Sequence, residues 1–294
     1  MKIDVHTHIF PPEICRDRGR FFSSQPAFRL LYDSPKAPLA TAERLLEVLD
    51  EDEVDRAVVF GFPWQGRERV LRHNDYVLEA AARYPRRLIP FACVHPLDPE
   101  APAEADRCCA QGAAGLGELG LYEPCDPAAA LAAYDGIFRV ARSYGKPLLV
   151  HANEPVGHAY PGKAPQGLDF YYRLAQRAEG IPLILAHWGG GLCFYEMMKK
   201  EVAETLSHVF YDTAASPFLY RASVYRTVLD IVGKERVLLG SDGPLLRPRR
   251  YFHEMQGVLS PEEMRAVCGE NAGRLLSGAR DDGFEGPSLT DASP

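Results

Sequence analysis

Short apolar runs alternate with amphipathic helical segments about eight times along the chain, and this alternation restricts the fold more than any other feature of the sequence. The runs are rich in Val, Ile and Leu and mostly continuous, as parallel strands are when helices cover both faces of their sheet. The first run holds Ile3 and Val5, and the others are predicted at 54–62, 88–94, 113–121, 147–152, 181–186, 209–213 and 237–240. A chain of 294 residues with this pattern predicts an α/β protein of the (β/α)8 TIM barrel type.

The remaining segments favour a single barrel domain over 1–277. An open, doubly wound sheet is the alternative, but no G-x-G-x-x-G sequence follows the first strand. The segment at about 9–40 is rich in Pro and aromatic residues, and a connection of this length predicts a lid-like insertion. The stretch 278–294 is rich in Gly, Asp, Ser and Pro, which predicts a disordered tail.

Candidate metal ligands stand at or near the ends of five of the predicted strands. His6 and His8 end the first strand two residues apart, so their side chains share one face of it. The later strands end with residues of the same chemical kinds: Glu118, His151, His187 and Asp242. The carboxyl ends of barrel strands meet at one mouth, where active sites form. Imidazole and carboxylate groups bind zinc, manganese or iron, so the sequence predicts a divalent metal centre, with zinc expected first.

Composition narrows the range of functions. The net charge of −7 argues against a nucleic-acid surface, which would carry a basic stripe. Seven cysteines without a C-x-x-C spacing predict neither a disulfide framework nor a cysteine-rich zinc site. No apolar run is long enough to span a bilayer, and the first residues lack the pattern of a signal peptide. We therefore expect a cytoplasmic enzyme that acts on a small molecule without a nucleic-acid or membrane partner, and a homo-oligomer stays open.

Four short motifs surround the predicted ligands: DVHTH at His6 and His8, LVHANEP at His151, LAHWGG at His187 and LLGSDGP at Asp242. Together with framework segments over about 1–276, they resemble the amidohydrolase superfamily, in the branch that also contains aminocarboxymuconate-semialdehyde decarboxylase. The segment GLGELGLY around Glu118 is additionally similar to TatD-type hydrolases, in which a glutamate at this strand bridges two metals. The resemblance implies a metal-dependent barrel enzyme, and it leaves open whether one or two metal ions are bound.

The chemistry of these groups predicts a metal-dependent hydrolase that uses a metal-activated water on a small-molecule amide, lactone or ester. Asp242 is the predicted general base, and His187 is either a ligand of a second metal or a free acid–base group. The alternative is a metal-dependent decarboxylase or hydratase of a small carboxylic acid, and a TatD-like phosphoesterase is a third hypothesis. Asp4 is predicted either to orient a ligand imidazole or to cap the backbone.

The loops that follow the strand ends are expected to select the substrate. The loop after the fifth predicted strand is dense in polar and aromatic residues, and the loop after the eighth contains three arginines able to bind a carboxylate or phosphate. A solvated surface loop is the plain alternative for both. The predicted substrate contacts are Trp64, Glu154, His158, Tyr160, Lys163 and Arg247, and an anionic small molecule is one expected substrate class.

Overall fold

The computed structural model describes residues 1–278, whose eight parallel strands form one sheet in sequential order. The strands are β1 (Ile3–His8), β2 (Arg56–Phe60), β3 (Leu88–Ala92), β4 (Gly115–Leu119), β5 (Leu148–Val150), β6 (Leu183–Leu185), β7 (Val209–Asp212) and β8 (Val237–Leu238). Nearly all of their residues are buried, which explains the continuously apolar runs in the sequence. The predicted (β/α)8 barrel is confirmed.

Main-chain hydrogen bonds between β1 and the β8 region close the barrel. The amide of Val5 donates to the carbonyl of Leu239 over 2.8 Å, and the amide of His8 donates to the carbonyl of Gly243 over 2.6 Å. The amide of Gly243 donates in turn to the carbonyl of His6 over 3.2 Å. This pairing places Asp242 beside the two histidines of β1.

Helical segments alternate with the strands and cover the outside of the barrel. The α-helices are α1 (Pro12–Arg16), α2 (Pro26–Tyr32), α3 (Ala42–Glu51), α4 (Arg67–Arg83), α5 (Ala101–Ala110), α6 (Pro127–Ser143), α7 (Leu168–Arg177), α8 (Ala186–Gly189), α9 (Lys200–Thr205), α10 (Ser216–Leu219), α11 (Ser223–Val232), α12 (Pro248–Gln256), α13 (Pro261–Arg265) and α14 (Asn271–Ser277). Three 3-10 segments (Arg18–Phe21, Leu192–Met197, Lys234–Arg236) and one π-helical turn (Ala266–Glu270) complete the helical structure.

Some helix boundaries differ from the sequence prediction. The apolar pattern of the sequence predicts one helix over 192–206 and another over 217–232. In the structure the first breaks at Met198, whose backbone leaves the helical region, and the second breaks at Tyr220, which is extended. Apolar periodicity continues across both breaks, so it does not reveal a single non-helical residue. No helix within residues 1–278 combines the length and the apolar composition that crossing a membrane requires.

The segment predicted as a lid-like insertion, 9–40, contains three short helical segments and is attached to the loop after β2. The fully buried ring of Phe28 lies 4.6 Å from Trp64 and 5.4 Å from Phe62, measured between ring centroids. Gln25 donates its side-chain amide to the carbonyl of Gln65 over 2.7 Å and accepts the amide of Gln65 over 3.0 Å. The lid function stays a prediction, and residues 279–294 of the predicted tail lie outside the described residues.

Candidate metal centre

Four histidine rings surround the carboxylate of Glu118 at the mouth of the barrel. The Nε2 atoms of His6 and His187 lie 3.7 Å from its Oε1, and the Nε2 atom of His8 lies 3.6 Å from its Oε2. The Nδ1 atom of His151 is closer, at 2.9 Å from Oε1. These five residues lie at or near the carboxyl ends of four strands, with His6 and His8 both on β1, so the barrel topology brings them together.

Asp242 adds a second carboxylate to the same group. Its Oδ1 lies 3.5 Å from Nε2 of His6 and 3.6 Å from Nε2 of His8. The residue has a positive φ of 61°, as does His187 with 56°, and such left-handed backbone is costly for residues other than glycine. Two of the six predicted ligands are thus held in strained backbone by the surrounding structure.

The two rings of β1 are oriented by acceptors on their outer nitrogen. Nδ1 of His6 donates to Oδ2 of Asp212 over 2.8 Å, and Nδ1 of His8 donates to the carbonyl of Gly61 over 3.1 Å. A neutral imidazole with its proton on Nδ1 has a lone pair on Nε2. Both lone pairs are therefore directed towards the carboxylates.

The other two rings follow the same rule. Nδ1 of His187 donates to the carbonyl of Ala214 over 3.1 Å, which leaves its Nε2 as a lone pair. Nε2 of His151 donates to the carbonyl of Gly162 over 2.9 Å, which leaves its Nδ1 as a lone pair. An acceptor on the outer nitrogen is the usual way in which proteins fix a metal-binding imidazole.

With the rings oriented in this way, acceptor atoms face the centre of this group, and such an arrangement suits a cation. The ligand atoms of His6, His8 and Glu118 lie within 4.8 Å of one another, as do those of Glu118, His151 and His187. Nε2 of His6 is fully buried and has no hydrogen-bond partner in the described part of the chain. The donor set therefore fits a divalent metal, and Glu118 belongs to both groups.

The charges of the site favour a cation as well. Burial alone would lower the pKa of His6, but the carboxylates of Asp212, Glu118 and Asp242 outweigh it and raise that pKa to about 10. Burial would raise the pKa of Asp242, but the adjacent imidazole of His8 and the nearby rings of His6 and His187 lower it to about 2. Asp242 is thus an ionised carboxylate at neutral pH.

Asp212 is a candidate functional residue that the sequence analysis missed. Besides orienting His6, it accepts the main-chain amide of His187 at Oδ1 over 2.8 Å, and it is fully buried. It ends β7, so a carboxylate at yet another strand end was the available signal. Asp4 has the capping role: its Oδ1 accepts the amides of His6 (3.1 Å) and Ser241 (3.0 Å) and orients no ring.

A cavity of about 740 Å³ opens above the carboxylates and is walled mainly by apolar and aromatic side chains. Its walls include Leu31, Tyr32, Phe62, Tyr122, Val156, Tyr160, Phe218, Leu219 and Leu245. Burial raises the pKa values of Tyr32 and Tyr122, and the nearby Glu118 and Asp242 raise them further, so both hydroxyls stay protonated donors. Within residues 1–278, no Lys or Arg lines this cavity.

Three of the predicted substrate contacts face the cavity, and a fourth lies beside it. Glu154, His158 and Tyr160 are part of the cavity wall. The Tyr160 hydroxyl donates to Oε2 of Glu154 over 2.9 Å. Lys163 places its Nζ 3.1 Å from Oε1 of Glu154, so its charge is paired within the loop.

Trp64 and Arg247 do not belong to the described lining of the cavity, and their contact with substrate stays a prediction. Trp64 is buried among the aromatic rings beneath the segment 9–40, and its Nε1 donates to Nδ1 of His73 over 2.7 Å. Arg247 points away from the mouth and pairs with Asp52 and with Glu51, the latter over 2.8 Å. Both side chains bind structural partners that the sequence motifs do not indicate.

Comparison with known proteins gives the following matches. A family model described as Amidohydrolase matches residues 3–278. The structure is similar to that of 5-carboxyvanillate decarboxylase from Sphingomonas paucimobilis, with 17% identity, 94% of this chain and 98% of that chain covered, and a TM-score of 0.72. The structure is also similar to that of 5-carboxyvanillate decarboxylase from Novosphingobium aromaticivorans with bound manganese, with 16% identity, 94% of this chain and 97% of that chain covered, and a TM-score of 0.75.

A third similar structure is that of the dihydroxybenzoic acid decarboxylase from Polaromonas sp. JS666, which contains manganese and the inhibitor 2-nitroresorcinol. The sequence identity is 17%, 94% of this chain and 96% of that chain are covered, and the TM-score is 0.67. No curated protein sequence matches the chain. At these identities the structural likeness establishes a shared fold.

Proposed function

The chain belongs to the amidohydrolase superfamily, and from this premise we propose that it is a metal-dependent decarboxylase of a small, hydroxylated aromatic carboxylic acid. The observation that carries the proposal is the cavity, whose aromatic and aliphatic walls end on the histidine and carboxylate cluster. A flat aromatic acid suits such walls, with its polar groups placed at the cluster. Several similar solved structures are decarboxylases of aromatic acids, which supports this alternative over the hydrolase expected first.

The metal would be held by the two histidines of β1, by Glu118 and Asp242, and by His151. When bound, a divalent ion would hold a substrate oxygen and neutralise charge that develops on it. Zinc stays the first expectation from the donor set, and the manganese in similar structures makes it the second candidate to test. The chain itself supplies the orientation of every ligand through the acceptors described above.

The substrate is positioned by the cavity walls and by two hydroxyl donors. Tyr32 reaches the cavity from the segment 9–40 and Tyr122 from the loop after β4, so donors face the substrate from two sides. The absence of Lys and Arg from the described cavity lining leaves these hydroxyls and the imidazoles as the protein's donors to an anionic substrate. Tyr122 also lies parallel to Phe62, with 6.0 Å between ring centroids, which holds its ring in place.

Asp242 is placed to move the proton that decarboxylation requires. Its ionised carboxylate accepts the proton of a substrate hydroxyl next to the carboxyl group and returns it to the ring carbon. The bond between that carbon and the carboxyl group then breaks, its electrons return to the ring, and carbon dioxide leaves. The resulting phenolate takes a proton from solvent, so the balance is one proton consumed for each carbon dioxide released. His187, which lowers the pKa of Asp242, is the neighbouring acid–base group.

Hydrolysis of an amide, lactone or ester is the second candidate, and one observation favours it. Glu118 belongs to both groups of ligand atoms, an arrangement that suits two bridged metals. The phosphoesterase hypothesis gains no such support, because a phosphate would be expected to meet arginine or lysine in the described cavity lining.

The experiment is an assay of the purified chain, loaded with manganese or with zinc, against two sets of compounds. Hydroxybenzoates and 5-carboxyvanillate form the first set, and amides, lactones and esters of similar size form the second. We expect carbon dioxide release from the first set, and in deuterated water one deuterium on the carbon that lost the carboxyl group. Turnover confined to the second set, together with two metals per chain, would establish hydrolysis instead. Glu118→Ala is the control without a complete metal site.

A further inference from the structure

The loop that leaves β5 returns to the residue where it starts. His151 follows β5, and eleven residues later the carbonyl of Gly162 accepts the proton of its Nε2 over 2.9 Å. The opposite nitrogen of the same ring faces Glu118 at 2.9 Å. The ring is therefore held between the metal-binding carboxylate and the far end of its own loop.

Two sets of contacts fix the position of that carbonyl. The buried side chain of Asn153 closes the base of the loop, since its Nδ2 donates to the carbonyl of Ala164 (3.2 Å) and its Oδ1 accepts the amide of Ala164 (2.7 Å). Lys163 spans the loop from within: its Nζ lies 3.1 Å from Glu154 and donates to the carbonyl of Val156 over 2.6 Å. Gly162 directly precedes the two residues that these contacts hold, Lys163 and Ala164.

His151 differs from the other three histidines in this respect. The acceptors that orient those rings, Asp212, Gly61 and Ala214, end β7 or directly follow β2 and β7, where the barrel fixes them. The acceptor for His151 lies on a surface loop that also forms part of the cavity wall. A displacement of this loop reaches one metal ligand and leaves the other three oriented.

We propose that the loop 153–164 is a positioning element for the metal, in which the Gly162 carbonyl, braced by Asn153 and Lys163, orients His151 for binding. The proposal rests on the metal site of the proposed function. Without this acceptor the ring turns or exchanges its proton between the two nitrogens, and the lone pair on Nδ1 is no longer fixed towards Glu118. Val156, His158 and Tyr160 of the same loop face the cavity.

Two glycines of the loop provide a matched pair of variants. Gly162 has φ of +95° and Gly157 has φ of +89°, and a Cβ built on either meets no atom within 4 Å. Gly162→Ala and Gly157→Ala therefore introduce similar backbone strain into one loop, but the former alone displaces the carbonyl that His151 uses. We expect the affinity for Mn²⁺, measured by calorimetry on the metal-free chain, to fall about 10- to 100-fold in Gly162→Ala and to stay near wild type in Gly157→Ala.

A second pair protects the test against misfolding. Lys163→Met removes the inner brace, and Lys199→Met removes an exposed lysine that pairs with Glu201 at 3.8 Å. The first is expected to weaken Mn²⁺ binding, and the second to leave it unchanged. In addition, pulsed electron paramagnetic resonance of bound Mn²⁺ should detect one imidazole nitrogen fewer in Gly162→Ala than in Gly157→Ala.

The outcomes separate the inference from the proposed function. A wild-type chain that binds no Mn²⁺ or Zn²⁺ overturns the metal site and this inference together. A wild-type chain that binds metal, with equal affinities in the two glycine variants and in the two lysine variants, overturns the role of the loop alone. A loss confined to Gly162→Ala and Lys163→Met, with unchanged thermal unfolding, supports it.

Discussion

The segments after β5 and β8 place their charged side chains differently. Each follows a predicted ligand at a strand end, and each contains charged residues for which a contact with substrate could be expected. In the β5 loop, Glu154 and Tyr160 line the cavity, and the charge of Lys163 is paired with Glu154 inside the loop. After β8, Arg247 at the end of the loop and Arg249 in the first turn of α12 both turn away from the mouth, towards the end of α3.

The difference follows from the partner that each loop finds. The side chain of Asp52, directly after α3, is fully buried, and a buried carboxylate needs charged donors. Arg247 and Arg249 supply them, with the Nε of Arg247 at 3.1 Å and the Nε of Arg249 at 2.5 Å from its oxygens. Within residues 1–278 the β5 loop pairs with no comparable buried carboxylate, and Glu154, His158 and Tyr160 lie at the cavity. Charged residues in a loop therefore indicate a contact with substrate only where they are not paired with a buried residue of opposite charge.

The largest effect on kcat is expected from Asp242, at the strand end where the β8 loop begins. Asp242→Asn keeps the size of the side chain but removes the carboxylate that accepts and returns the proton, so we expect kcat to fall about a thousandfold. Metal content, measured by mass spectrometry of the purified variant, should stay close to wild type, because the other four residues of the proposed metal site remain. Activity near wild type would remove Asp242 as the proton carrier and would leave the β8 region without a chemical role.

Much of the fold and of the metal site could be predicted from the sequence. Continuous apolar runs identify buried parallel strands, and barrel topology then requires that residues such as His6 and Glu118 meet at one mouth. The orientation of the histidine rings could not be predicted. It depends on Asp212, which is distant in sequence from His6, and on the carbonyl of Gly162, a main-chain group that no side-chain pattern reveals. Residue type alone also gave no sign that Trp64 donates to a buried histidine rather than to a substrate.

A second prediction tests the structural role of the β8 arginines. Asp52→Asn removes the charge that Arg247 and Arg249 bind, and we expect the free energy of unfolding, measured in urea, to fall by about 2 kcal/mol at neutral pH. Burial alone would raise the pKa of Asp52, but the hydrogen bonds from both arginines lower it. A lowered pKa contributes stability above the unfolded value and loses it as pH falls, so the difference between variant and wild type should shrink in acid. An increased KM without loss of stability would return Arg247 to the substrate site.

The β5 loop should show the reverse pattern. Tyr160→Phe removes one hydroxyl that faces the cavity and donates to Glu154, so we expect KM to rise about fivefold, in line with the loss of one hydrogen bond worth about 1 kcal/mol. The free energy of unfolding should change by less than about 0.5 kcal/mol. Tyr195→Phe, at a largely exposed tyrosine, is the matched control. A loss of stability without a change in KM would place Tyr160 with the structural residues.

The smallest effect on stability and KM is expected for Arg250→Ala, and this variant tests the contrast between the β5 and β8 segments most directly. Its guanidinium lies 5.5 Å from the ring of Phe218, which is exposed and forms part of the cavity wall, and it also pairs with Glu254 at 3.5 Å. Exposed pairs of this kind contribute little, so Arg250→Ala should change the free energy of unfolding by less than about 0.5 kcal/mol and leave KM nearly unchanged. The informative measurement is KM for an anionic substrate at low and at high salt. If KM rises at low salt in Arg250→Ala and this rise disappears at high salt, the β8 loop attracts the substrate by charge although none of its arginines lines the cavity. If KM is insensitive to the substitution at both salt concentrations, recognition belongs to the β5 loop and to the tyrosines, and the arginines after β8 serve the fold.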